Sequence, residues 1–485
     1  MKKQLLLFLL FSKTVLFSQT VLNSLPLNLN FLSKTQILNI EDKKNKDIYA
    51  IAWDKQSVNI LKYNQSLFLT SQFTDLIKKE VNRNLMGGTI STDQKPTLYW
   101  ISGNNKNILI TTYNLDRKTS ESLNFDFPRN HEYIINSFQD NNAFYILAKE
   151  IDFEHLLLYR FENRKCEIKM LDFSSFTFKN KEKVNISFNA LIKHFPIKKM
   201  ELDILNPIDF TSQISKMYVV NDYLVLTFDN RLERTQVFEV NLNTGAMKER
   251  TFNQPVSENP LRTSNSFYNG GKLFQVVANK EELLFQIKDF DSKNTIKKFS
   301  FSKNDSIPFK NSPFFVQINN KKPQQLKTTA KFLKDLDGLT AGISVVKNQK
   351  NSFVTFSGFG ESIDYYFKSD SPDTFGVREY YSLSKIVYFD ATLNENLDFI
   401  SNKHSEPLAI ENLFYFLNNN KGIQLYDTLR LKNYYILSYY DKASQQFIMR
   451  KFTDGFMMQE NRNPIINKSI FSNPAAFEKI NFKKN

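Results

Sequence analysis

Cysteine is almost missing from this 485-residue chain: Cys166 stands alone, so no internal disulfide can form and stability has to come from burial. In the alternating stretch "RKCEIKML" this residue reads as a small buried strand position. Histidine is nearly as scarce. His131, His155, His194 and His404 fall in no H-x-H or H-E-x-x-H pattern, which excludes a zinc site built from a motif. No G-x-S-x-G is present, so a nucleophile elbow is excluded, and no glycine-rich phosphate loop occurs. Ser382 and Lys385 satisfy S-x-x-K, but the companion S-D-N and K-T-G motifs are missing, which makes the pair a chance match.

Calcium loops fail on spacing. The EF-hand pattern needs oxygen ligands at loop positions 1, 3 and 5 and a glycine at 6. Lys293 takes the third ligand position after Asp289, and Gly338 comes too early after Asp335, so both segments read as polar turns. No metal and no cofactor are expected.

Long apolar runs are also missing. The N-terminal "MKKQLLLFLLFSKTVLFSQT" has two lysines, an apolar run from Leu5 to Phe11 and small or polar residues after Phe17, the order of a secretory signal peptide. Lys13 breaks the run well short of the roughly 20 apolar residues a membrane span requires. Residues 1–18 are therefore expected to be removed, and no integral membrane segment is expected in the mature chain. Export places the protein in the periplasm, on the outer cell surface or in the medium. The net charge of +14 is spread as scattered lysines with no face of concentrated Arg and Lys, so nucleic acid is not an expected partner.

What is abundant is aromatic residue and short alternation. Phenylalanine alone accounts for 46 positions. The stretch "YLVLTFDNRLERTQVFEVNLNTGAMKERTF" at 223–252 reads as three strands joined by polar turns, because apolar and polar side chains alternate with period two between clusters of turn formers. The same order returns at 48–73, 97–125, 143–173 and 272–301, and more loosely around "SKIVYFDATLNENLDF" and "NYYILSYYDKASQQFIMRKF". One such unit cannot cover both faces of its own sheet, so it needs neighbours on either side.

This arrangement resembles the β-propeller class, and the signal segment and Phe-ended strands look like exported propeller-like repeat proteins of uncharacterised function. The resemblance implies an all-β fold, a propeller of about seven blades with six or eight as alternatives. It spans 33–455, after an N-terminal linker at 19–32 and before a C-terminal segment at 456–485. The Gly-His and Trp-Asp signatures of WD40 repeats are missing, Trp53 and Trp100 being the only tryptophans. Hence no activity is carried onto particular residues.

Three segments break the repeat. Insertions near 176–213 and 304–350 hold short helices, expected around Asn189 to His194 and from Thr328 to Leu336. The third, "GFGESIDYYFKSDSPDTFGVREYY", interleaves acids with aromatics. There Tyr365, Tyr366, Phe375 and Tyr380 could form a stacking platform, with Asp364, Asp370 and Asp373 gripping hydroxyls or a cation; the alternative is a plain strand and its loop. Two functions stay open. One is an exported, non-enzymatic binding protein whose partner is an envelope protein or a glycan. The other is a carbohydrate-active hydrolase or lyase with carboxylates gathered in a central funnel, a site that would leave no motif.

Overall fold

The computed structural model describes residues 19–29, 35–77, 83–127, 131–202, 204–307, 309–319, 321–347, 351–368, 377–400 and 407–455. Within 223–252 the three strands form as expected, at Tyr223–Arg231, Arg234–Asn241 and Met247–Asn253. Their antiparallel register sets Val225 opposite Glu239 and Val237 opposite Arg250. The second turn is fixed by Asn241, whose Oδ1 accepts from the backbone N of Asn243 and Thr244 at 3.0 and 2.9 Å. Gly245 completes it at φ +76°, a left-handed conformation that side chains with a Cβ resist.

Each such unit gains a fourth strand in front of it. Sheets I (36–76), II (83–126), III (132–172) and V (263–302) are four-stranded, with strands in chain order. Sheet IV (198–253) adds a short parallel strand at Lys198–Lys199, and sheet VI (314–400) has six strands. Sheet VII combines Tyr426–Leu431, Tyr434–Asp441 and Gln446–Phe452 with Gln19–Pro26, which pairs antiparallel to the last strand with Gln19 opposite Phe452. The expectation of a linker at 19–32 is thus corrected. Its first part is a strand that pairs the outer backbone edge of Gln446–Phe452, which would otherwise be left open. Seven sheets of four or more strands result among the described residues.

Aromatic and aliphatic clusters join the sheets in sequence order. Trp53 and Trp100 meet between sheets I and II with ring centroids 4.9 Å apart. Tyr99, Phe144 and Phe161 pack between II and III. Phe173, Phe228 and Phe238 pack between III and IV, while Phe285 and Phe356 lie in the cluster spanning IV, V and VI. Sheet VII returns to sheet I through Ile436, Phe447, Ile48 and Leu61. Each fully buried Phe or Leu here contributes about 1.5–3 kcal/mol. Cys166, expected to be buried, is only half-buried, since its strand is the outer one of sheet III.

The helices seal gaps between sheets. Helix α1 (Phe188–His194) starts at Ser187, whose side chain accepts from Ala190 N, and its Phe188 stacks on Phe173 at 4.0 Å. A single turn, α2 (Ile208–Thr211), follows. Helix α3 (Thr329–Leu336) is capped by Thr328 and buries Phe332, Leu333 and Leu336 against sheet VI. Helix α4 (Ala409–Asn419) was not foreseen from the sequence, and it packs Leu413, Phe414 and Leu417 with Val346, Leu437 and Phe452 between VI and VII. Among the described residues no helix is long and apolar enough to cross a membrane.

Candidate functional site

In an antiparallel four-stranded sheet the first and third connections lie at the same end. In sheet II these are the turns 91–95 and 115–118; in sheet III they are 141–142 and 163–164. Together the four turns and the strands below them enclose a cleft of about 420 Å³ between the two sheets. Its floor is hydroxyl-rich. Thr97 Oγ1 and Thr112 Oγ1 are 3.1 Å apart, and Thr89 Oγ1 lies 3.4 Å from the Tyr99 hydroxyl. The Tyr99 ring is stacked on Phe144 at 4.2 Å, and burial pushes its hydroxyl up to about 12.

The rim is polar and charged. Ser91 closes its turn by accepting from Lys95 N at 3.1 Å. Asp93 is paired with Lys95, and the hydrogen bonds from Lys95 and Ser91 hold its carboxyl below the usual range. Thr92 Oγ1 donates to Asn163 Oδ1 at 3.1 Å, and Arg164 reaches back from sheet III to Glu121 at 2.5 Å. Asn163 and Arg164 both have positive φ, 48° and 66°. This is the tight hairpin turn that matches strand twist, but an arginine there is uncommon. The turn thereby aims the guanidinium across the cleft. Arg117 stands at the mouth, its backbone N held by Asn114 Oδ1 at 3.1 Å.

Beside the cleft, Asp140 ends the first strand of sheet III and is 4% exposed. Burial raises its carboxyl despite the Lys43 ammonium 3.1 Å away, and Asp222 adds to the rise. Asp222 accepts from Asn141 Nδ2 at 2.9 Å.

A second polar concentration lies shut inside sheets IV and V. Lys216 and Asp229 are fully buried 3.3 Å apart, and Lys216 Nζ also donates to Asn265 Oδ1 at 2.7 Å. Asp229 accepts from Ser266 N, Ser266 Oγ and Thr235 Oγ1 at 2.9, 2.8 and 2.7 Å. Burial lowers the lysine, with Asp229 opposing it. With its carboxylate oxygens taken up by protein donors, this group is a strut between sheets.

The WD40 domain of SCAP from fission yeast is similar over 88% of this chain and 83% of its own, at 12% identity and a TM-score of 0.31. An oligogalacturonate lyase in complex with manganese is similar over 89% and 97%, at 8% identity and 0.34. Prolyl oligopeptidase B from Galerina marginata is similar over 75% of this chain and 47% of its own, at 9% identity and 0.29. By its consecutive antiparallel sheets, with the first described strand paired to the last, the fold is a β-propeller. At these identities and TM-scores the likenesses carry no argument about activity. No protein-family pattern matches the propeller chain, and no curated protein matches it.

Of the residues singled out from sequence, Asp364, Tyr365, Tyr366 and Tyr380 lie elsewhere, on sheet VI. Asp364, Tyr365 and Tyr366 fall in the strand Ser352–Lys368, and Tyr380 in its partner Val377–Leu393. The backbone register sets Tyr365 opposite Tyr380, Asp364 opposite Tyr381 and Tyr366 opposite Glu379. Asp370, Asp373 and Phe375 lie outside the described residues. Lys385 of the S-x-x-K match is paired with Asp335 at 2.9 Å, and Lys280 with Asp337 at 3.3 Å. Asp289 accepts from Ser292 N and Oγ, both at 2.8 Å, the geometry of a polar turn. Among the described residues no three His, Cys, Asp or Glu side chains converge as a metal site. The cleft went unseen because its residues come from two repeats, 97–125 and 143–173 among them, whose turns read from sequence only as polar joints between strands.

Proposed function

We propose that the protein is an exported, non-enzymatic binding protein that presents the cleft between sheets II and III to an envelope protein or a glycan. One observation carries this reading: a cleft of about 420 Å³ floored by strand hydroxyls and rimmed by amides and ion pairs at the turn end of two sheets, on a scaffold that holds them in place. Thr89, Thr97, Thr112 and Tyr99 supply donors and acceptors, while Asn142, Asn163 and Arg117 frame the entrance. The test is capture. The chain from Gln19 is immobilised and challenged with solubilised envelope and soluble polysaccharides from its own source. Retention of one species, competed by free protein and lost in the Arg117→Ala/Asn142→Ala variant, is the expected result. Retention that the variant leaves intact, or no retention, refutes the cleft as the binding site.

A second reading is enzymatic. Asp140 favours it, being a carboxyl raised by burial and by Asp222 at the same end of the ring as the cleft. Shortening of a polysaccharide by the protein, abolished in Asp140→Asn, would establish this reading over the first.

A further inference from the structure

Resting on the cleft as the binding site, we infer that its ligand is an acidic saccharide: a hydroxyl-rich sugar unit carrying one carboxylate. The charge count points to an anion. Lys95, Arg117 and Arg164 face Asp93 and Glu121 around the cleft, three cations against two carboxylates. Asp93 is taken by Lys95, and Glu121 by Arg164 at 2.5 Å. Arg117 has no carboxylate partner among the described residues, and its guanidinium offers the flat fork that fits a carboxylate in bidentate fashion. A single free guanidinium matches a single negative charge. A phosphate group, with about two charges, would call for more free donors than this rim has left.

The floor specifies the rest of the ligand. Thr89, Thr97 and Thr112 each present a methyl beside a hydroxyl, and Tyr99 presents a phenolic hydroxyl. Such a surface alternates C–H and O–H, as a pyranose does. The Thr97–Thr112 pair, 3.1 Å apart, consumes one donor and leaves one, so each hydroxyl pair retains capacity for a sugar hydroxyl. At about 420 Å³ the space falls within the roughly 300–1,000 Å³ of small-molecule sites.

The experiment uses the protein in its processed form on an array of matched disaccharides, each uronate beside its neutral counterpart, for example cellobiouronate beside cellobiose. Titration calorimetry is run in low and moderate salt. The expected result is preference for an acidic member by about tenfold or more, weakened by salt, reduced by about tenfold in Arg117→Ala and partly kept in Arg117→Lys. Equal binding of acidic and neutral members, unchanged in Arg117→Ala, overturns the carboxylate while leaving a saccharide cleft. Failure to bind any acidic member, with envelope capture still lost in the Arg117→Ala/Asn142→Ala variant, overturns the saccharide and leaves the cleft as a protein-binding site. Thermal melts matching the parent show that each variant is folded.

Discussion

Replacing Glu411 by Gln should make the stability of the protein less dependent on pH. Glu411 sits in the first turn of α4, 2% exposed, with its Oε2 accepting from Leu408 N at 2.7 Å. Burial raises its carboxyl to about 8 from 4.5; the Leu408 N–H opposes this, and Asp390 and Asp454 add to it. A carboxyl whose folded value is raised binds its proton more tightly in the folded chain. The associated stability is therefore complete below about pH 4.5 and is lost as the pH climbs towards 8. At about 1.4 kcal/mol per unit, the loss between pH 5 and pH 9 has a ceiling of about 4 kcal/mol. Glutamine keeps the acceptor for Leu408 N and never ionises. For a chain of this length, about 1 kcal/mol moves the melting temperature by roughly 1 °C. Glu411→Gln should then melt about 4 °C above the parent at pH 9 and within about 1 °C of it at pH 5, by differential scanning calorimetry. A difference of the same size at both pH values would refute the buried, protonated acid.

Three further outcomes follow from packing. Lys216→Met strands the Asp229 carboxylate in the core and should cost about 3–5 kcal/mol in urea unfolding, while adding Asp229→Asn should recover part of it; no recovery would deny that the loss is electrostatic. Gly358→Ala should cost about 1–3 kcal/mol, because a Cβ there would meet Leu336 Cδ1 at 2.2 Å, whereas Gly422→Ala, with nothing within 4 Å, should leave the melt unchanged. Deleting residues 19–26 should lower the melting temperature and produce oligomers in light scattering, since Gln446–Phe452 then becomes an open edge; a monomer of unchanged stability would contradict the pairing.

The hairpins were legible because period-two alternation and turn residues are local signals, as the Asn241 to Gly245 turn shows. The fourth strand of each sheet was not. Thr263–Asn269, "TSNSFYN", is buried along its whole length although most of it is polar. Its Asn265 and Ser266 are satisfied by Lys216 and Asp229 from the neighbouring sheet, a condition no local pattern reveals. Helices α1 and α3 were readable, the second starting at Thr328, which is its cap. The cleft was illegible for the same reason as the fourth strands. Arg117 and Glu121 belong to one repeat and Asn163 and Arg164 to the next, so only packing brings them together.

The strand Gln19–Pro26 also sets a timetable. Ser24 and its hydrogen-bonding partner Gln446 are separated by 422 positions, so the earliest part of the described chain to be synthesised has no seat until the final hairpin exists. Such long-range closure is slow. Until it happens, the last sheet carries an unoccupied edge, and the first strand travels as a loose end able to add to any sheet that offers one. Assembly of this ring is therefore decided at its seam, where a stray strand from another chain competes with the one covalently tethered.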